Sequence, residues 1–155
     1  MRLIDPYAPF FTYKKIIAKY SGEYSFFEKL KIGGVGSPKV TYRSGIPEFD
    51  AIHYSEGLEK SMTNFELLKN GLVVRINKKQ KLAVAIEKLE LLEAVQFKTE
   101  IVEEQGKEIR TGCLTIEFKN QEAIVFDVGA AEYDGVIQFF KKKPFGGILS
   151  YSEGI

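Results

Sequence analysis

The sequence predicts a mostly-β chain of the α+β class: an antiparallel sheet followed by one amphipathic helix. Three observations carry that expectation. Apolar and polar residues alternate in 72–77 and 82–86, they alternate again in 114–119 and 124–128, and the spacing changes to a helical one after Gly129. The 155 residues, 45% hydrophobic and 28% charged, suit one globular domain with its own core.

Taken in order, residues 10–20 read as a short helix with Phe10, Tyr13, Ile17 and Tyr20 on one side and Lys14, Lys15 and Lys19 mostly elsewhere. Residues 32–45 read as a flexible Gly- and Pro-containing connection with a short strand at 39–42. Asn70-Gly71 follows Phe65-Glu66-Leu67-Leu68 and precedes the strand at 72–77; it tolerates positive φ at both central positions of a tight turn, so it marks a hairpin. Lys78, Lys79, Gln80 and Lys81 then form a polar connection to Leu82, Val84 and Ile86. Residues 81–97 admit a strand or a helix. Strand is expected, because Val95, Phe97, Thr99 and Ile101 alternate again and no Gly or Pro stops a helix there, which makes 87–90 a corner. Residues 103–110, polar around Gly106, read as an exposed hairpin loop.

Two further strands meet at a turn on Asn120-Gln121. Beyond Gly129, Tyr133, Val136, Ile137 and Phe140 fall at i, i+3, i+4 and i+7, which is one helical face, and Pro144 prevents continuation. Gly135 weakens that helix by roughly 1 kcal/mol relative to Ala and leaves room for a close approach to a sheet.

Charge and rare residues narrow the chemistry. With 22 Lys+Arg against 21 Asp+Glu the chain has no global field for a polyanion, so nucleic acid is not an expected partner. One Cys and one His make neither an internal disulfide nor a Cys/His zinc site, and no metal or cofactor is expected. His53, between Ile52 and Tyr54 in a segment read as extended, is the lone imidazole available as a base, and no nucleophile motif accompanies it. Cys113 is expected to begin a strand as a small buried residue. The glycines at 33, 34 and 36 fail the phosphate-loop spacing, since Ser37 and Pro38 follow the last glycine where Lys and then Ser or Thr are needed, and Pro38 breaks the helix start that would point at a phosphate. Asp5, Pro6, Pro9, Lys14, Lys15 and Lys19 interrupt any leader-like apolar run, so the expected compartment is the cytoplasm, with a peripheral membrane position open.

The set Leu72-Val73-Val74-Arg75-Ile76-Asn77, Leu82-Ala83-Val84-Ala85-Ile86, the strand entry from Leu91 to Val95, Gly112-Cys113-Leu114-Thr115-Ile116-Glu117-Phe118, Ala123-Ile124-Val125-Phe126-Asp127 and the helix from Ala130 to Lys142 resembles the pleckstrin-homology-like superfold, particularly its divergent bacterial members. The resemblance covers roughly residues 61–143 and rests on spacing rather than on a signature motif. It implies a bent antiparallel sheet or partly open barrel closed by the C-terminal helix. An N-terminal extension at 1–60 would pack on this core or add strands, and a tail at 144–155 would follow. Eukaryotic members typically carry Trp in the closing helix; here Phe139 or Phe140 is the nearest substitute. Lipid-binding members place Lys, a gap, Lys or Arg, one residue and Arg on the first hairpin. Lys69 and Arg75 match that pattern in part, and Lys78, Lys79 and Lys81 add charge on the next turn.

The expected function is therefore a non-enzymatic binding module for a protein segment or an anionic headgroup, with ligand-binding residues Lys69, Arg75, Lys78, Lys79 and Lys81. Two alternatives stand beside it: a small-molecule barrel or enzyme with an aromatic-lined pocket, and a homo-oligomer joined through a strand edge or the aromatic N-terminal helix.

Overall fold

The computed structural model describes residues 1–55 and 60–153. In chain order these form β1 (Arg2–Ile4), α1 (Phe10–Ala18), α2 (Phe26–Lys31), β2 (Val40–Ser44), α3 (Pro47–His53), β3 (Met62–Leu68), β4 (Gly71–Lys78), β5 (Lys81–Lys88), β6 (Leu92–Glu104), β7 (Lys107–Phe118), β8 (Ala123–Val128), α4 (Tyr133–Phe140) and β9 (Leu149–Glu153). Single 3-10 turns lie at Leu89–Leu91 and Lys143–Phe145.

The fold is mostly β, as the alternation predicts. Two antiparallel meanders, β3-β4-β5 and β6-β7-β8, are joined through β2, which pairs with β3 on one side and β8 on the other. β1 adds to the free edge of β5, and β9 adds in parallel to β6. The nine-stranded sheet runs β1-β5-β4-β3-β2-β8-β7-β6-β9 and stays open, with β1 and β9 at its two ends. Thus the first sixty residues contribute a strand to the middle of the sheet.

The main core lies between the two meanders, α3 and α4. Phe65 meets Phe126 edge-on at 4.9 Å and Phe140 at 5.3 Å, and Phe140 meets Phe145 at 4.9 Å. Each such pair adds about 0.5–1.5 kcal/mol beyond the area it buries. On the opposite face of β4 and β5, Val73, Val84 and Ile86 pack under Ile16, Ile17 and Tyr20. β4 is thereby buried on both faces along most of its length, which explains its nearly continuous apolar run.

Several expectations change. The buried side of α1 is Ile16 and Ile17, with Tyr20 delivered by the turn after the helix, while Phe10 is 71% exposed. The C-terminal half of α1 lies over Val73, Val84 and Ile86, with Tyr13 partly covered at its edge, while Phe10 and Phe11 at the helix start stay exposed. Residues 103–110 are not a loop. β6 and β7 pair out to Glu104 and Lys107 around a two-residue turn in which Gln105 and Gly106 both have positive φ. Polar residues tolerate this pairing because the ribbon stands clear of the core.

His53 ends helix α3 rather than sitting in extended chain; Pro47 at the helix start and Glu48 and Asp50 in its first turn favour helix there. Cys113 is half-buried in the middle of β7, on the face away from the main core, rather than at the start of a strand. The segment 35–37 is not a free connection: Leu67 N–H donates to the Val35 carbonyl at 2.8 Å and Phe65 N–H to Ser37 Oγ at 2.8 Å. α4 is shorter than residues 130–142 and buries Val136, Phe139 and Phe140, leaving Tyr133 and Ile137 partly covered. Gly135 does permit a close approach, but to a loop proline: a Cβ there would stand 2.6 Å from Pro38 Cγ.

Candidate functional site

The five basic residues singled out in the sequence do not form one site. β4 spans about 23 Å at the usual rise of a strand, and Lys69 lies at one end of it while Lys78, Lys79 and Lys81 lie at the other. Lys78 is buried, 2% exposed, and its ammonium donates to the His53 carbonyl at the C-terminus of α3, where a cation suits the helix dipole. Lys81 Nζ lies 3.5 Å from Ser55 Oγ. Arg75 is paired with Glu66 at 2.6 Å and reaches the Tyr13 hydroxyl at 3.5 Å. Arg75 and Lys79 do share one small cleft of about 290 Å³, with Lys39 and Lys60 beside them.

Lys69 belongs to a different and larger cavity, about 800 Å³, which four lysines line. Lys31 comes from α2, Lys69 from the β3–β4 turn, and Lys142 and Lys143 from the chain after α4. Leu67, fully buried at the end of β3, and Leu89 give the cavity an apolar wall, and among the described residues Glu90 is its one carboxylate. That volume falls within the roughly 300–1,000 Å³ of ordinary ligand sites.

Local physics explains how three distant segments converge. Ser25-x-x-Glu28 is a capping box: Glu28 N–H donates to Ser25 Oγ at 3.3 Å, and Ser25 N–H donates to the Glu28 carboxylate at 3.4 Å. The hydrogen bond with the Ser25 side chain, followed by its backbone N–H and then the Lys69 charge, holds the Glu28 carboxyl below the usual carboxylate range. Lys69 Nζ lies 3.8 Å from Glu28, and with both groups over 40% exposed solvent screens that pair. At the other end of α2, Lys142 Nζ donates to the carbonyls of Ile32 and Gly33 at 3.0 and 3.3 Å. Lys142 therefore closes the helix with a cation at the negative end of its dipole. Among the described residues, Lys31 and Lys143 take part in no ion pair.

The structure thus keeps Lys69 in a candidate site and replaces its companions. In the sequence, Lys141, Lys142 and Lys143 read as charge that suits a helix end, in a run that would also add attraction near an anionic membrane. Lys31 is missed altogether, although the Ser25-x-x-Glu28 spacing announces the helix that carries it.

His53 serves packing: its ring meets Tyr42 and Tyr54 edge-on, and Nδ1 lies 2.9 Å from Ser61 Oγ. Tyr42 is the most strongly constrained phenol. Its hydroxyl donates to Asp50 Oδ1 at 2.8 Å and accepts from Ile46 N–H at 2.7 Å, and burial above all pushes its ionisation well up. These bonds fix the turn from β2 into α3 and place no reactive group at a cavity. Among the described residues, no helix is long and apolar enough to cross a membrane. Comparison with protein-family models and with curated protein sequences gives no match.

Proposed function

We propose that the chain is a non-enzymatic binding module with a pleckstrin-homology-like core, and that its ligand is an anionic, phosphate-bearing group taken into the lysine-lined cavity. Two antiparallel meanders followed by an amphipathic helix, with Phe139 and Phe140 inside the core, support the family reading. The observation that carries the functional reading is the convergence of Lys31, Lys69, Lys142 and Lys143 on one cavity with an apolar wall. Each lysine near an anionic surface contributes about 1 kcal/mol of attraction. Four together are worth about a thousandfold in partition at low salt.

An anionic ligand fits better than the aromatic-lined pocket of an enzyme or carrier. The large aromatic side chains Phe65, Phe126, Phe139, Phe140 and Phe145 are spent on the core, and among the described residues Tyr24 is the sole aromatic lining the cavity. The reading puts the protein at the surface of an anionic membrane in a peripheral position, or in contact with a free phosphorylated solute. Co-sedimentation with phosphatidylcholine vesicles, with and without phosphatidylglycerol, separates these sources when calorimetry with inositol hexakisphosphate is run beside it. Binding to the anionic vesicles is expected to weaken with salt. Equal, negligible binding to both vesicles together with no heat from the soluble polyphosphate would remove the proposal.

A further inference from the structure

α2 departs from the usual economy of a surface helix. None of its six residues is buried, and Phe26, Phe27 and Leu30 are 69%, 80% and 64% exposed. A helix on a folded domain ordinarily turns such side chains inward, and contiguous exposed apolar groups mark a surface that meets something. This helix is tied to the body of the protein by other means: Lys69 lies 3.8 Å from Glu28, Lys142 donates to the Ile32 and Gly33 carbonyls just past the helix end, and the flanking Tyr24 and Val35 pack against the main core. None of these links uses Phe26, Phe27 or Leu30. The two rings meet each other edge-on at 5.6 Å, and among the described residues neither pairs with another aromatic ring.

The same short helix supplies Lys31 to the cavity, so an apolar projection and a cationic cavity share one element. We infer that α2 is a membrane wedge: Phe26, Phe27 and Leu30 enter the interfacial layer of an anionic bilayer while Lys31, Lys69, Lys142 and Lys143 hold a lipid phosphate beside them. This rests on the anion reading proposed above and names the ligand's source. Charge decides the occupant. Around α2 and the cavity stand Lys29, Lys31, Lys69, Lys142 and Lys143 against Glu28 and Glu90. A second copy docked about a two-fold axis would set these lysines against their own images, whereas an anionic bilayer offers negative headgroups above an apolar layer and satisfies both features at once.

The chain contains no tryptophan, so Phe27→Trp provides a single fluorescent reporter at an exposed position where folding is not at stake. With vesicles of phosphatidylcholine and phosphatidylglycerol its emission shifts to the blue and is quenched by brominated acyl chains; with phosphatidylcholine alone it does neither. Phe11→Trp, on the first turn of α1, stays unchanged in both. Phe27→Ala lowers vesicle partition about tenfold or more and leaves affinity for inositol hexakisphosphate as it was. Emission from Phe27→Trp that ignores anionic vesicles with which the protein sediments would overturn the wedge, and so would a blue shift that tracks protein concentration without vesicles. Loss of inositol hexakisphosphate binding in the unsubstituted chain, with Phe27→Trp still entering vesicles, would remove the cavity reading and leave the wedge standing.

Discussion

Reversing the charge at Lys31 and Lys143 is the substitution most informative about the cavity. Both ammonium groups are exposed and, among the described residues, outside every ion pair, so the reversal leaves the scaffold bonds of Lys142 and Lys69 in place. Each lysine near an anionic surface contributes about 1 kcal/mol, and a glutamate there replaces attraction by comparable repulsion. The double variant Lys31→Glu, Lys143→Glu therefore loses about 4 kcal/mol, close to a thousandfold in partition at low salt. The assay is co-sedimentation across a range of phosphatidylglycerol content, repeated at high salt, where the difference should shrink. Lys79→Glu, in the smaller cleft at the far end of β4, gives the comparison. An equal loss from Lys79→Glu would show that attraction is diffuse, and no loss from the double variant would refute the argument from convergence.

The scaffold makes its own predictions. Phe140→Ala removes a ring in contact with Phe65, Phe139 and Phe145, and urea unfolding should report a loss of about 3–5 kcal/mol. Gly45→Ala should cost more than about 3 kcal/mol in the same measurement, because φ is +123° and a Cβ would stand 2.1 Å from the Ala123 carbonyl oxygen; near-neutrality would show that β2 and β8 are not packed as described. Ser25→Ala removes the α2 cap, worth about 1 kcal/mol locally, and amide exchange in 26–31 should quicken while global stability changes little. Glu28, whose carboxyl is depressed in the folded state, contributes a cap that is fully present above the ordinary carboxylate pKa of about 4.3 and is lost as pH falls through the lower folded value. Amide protection in α2 should accordingly be flat from neutral pH to about 5 and fall below about 4; a fall beginning at neutral pH would contradict the assignment.

How much of this was legible in the sequence depends on whether the signal was local. The meanders were, because alternation in 72–77, 82–86 and 114–118 has one period. The hairpin between β3 and β4 falls where Asn70-Gly71 marks it, but its central residues are Lys69 and Asn70, without the expected positive φ, and Gly71 opens β4 with its Cβ position 3.1 Å from Tyr20. β1, β2 and β9 are short, and the partners that stabilise them are distant in the chain, as with Thr41 opposite Asp127 and Leu149 beside Val95. The short strand expected at 39–42 is β2, but nothing local places it between β3 and β8, and β1 and β9 carry little periodicity of their own, so both ends of the sheet were hard to see. The five basic residues are spread over the sheet for a related reason. Sequence proximity grouped Lys69 with Lys78 and Lys81, but a strand carries residues nine positions apart to opposite ends of the sheet, while Lys31 and Lys142 meet across more than a hundred residues. Lys78 shows the same limit, since nothing in Lys78-Lys79-Gln80-Lys81 tells which ammonium will cap α3.

The central claim, that the cavity joining α2, the β3–β4 turn and the end of α4 holds an anionic group, is tested most directly by an amide chemical-shift titration of the whole chain with inositol hexakisphosphate. The account predicts saturable changes at Lys31, Gly33, Lys69, Glu90 and Lys143, with Lys39, Lys60 and Lys79 undisturbed. Changes confined to the second group, or none at concentrations where anionic vesicles bind, would contradict it.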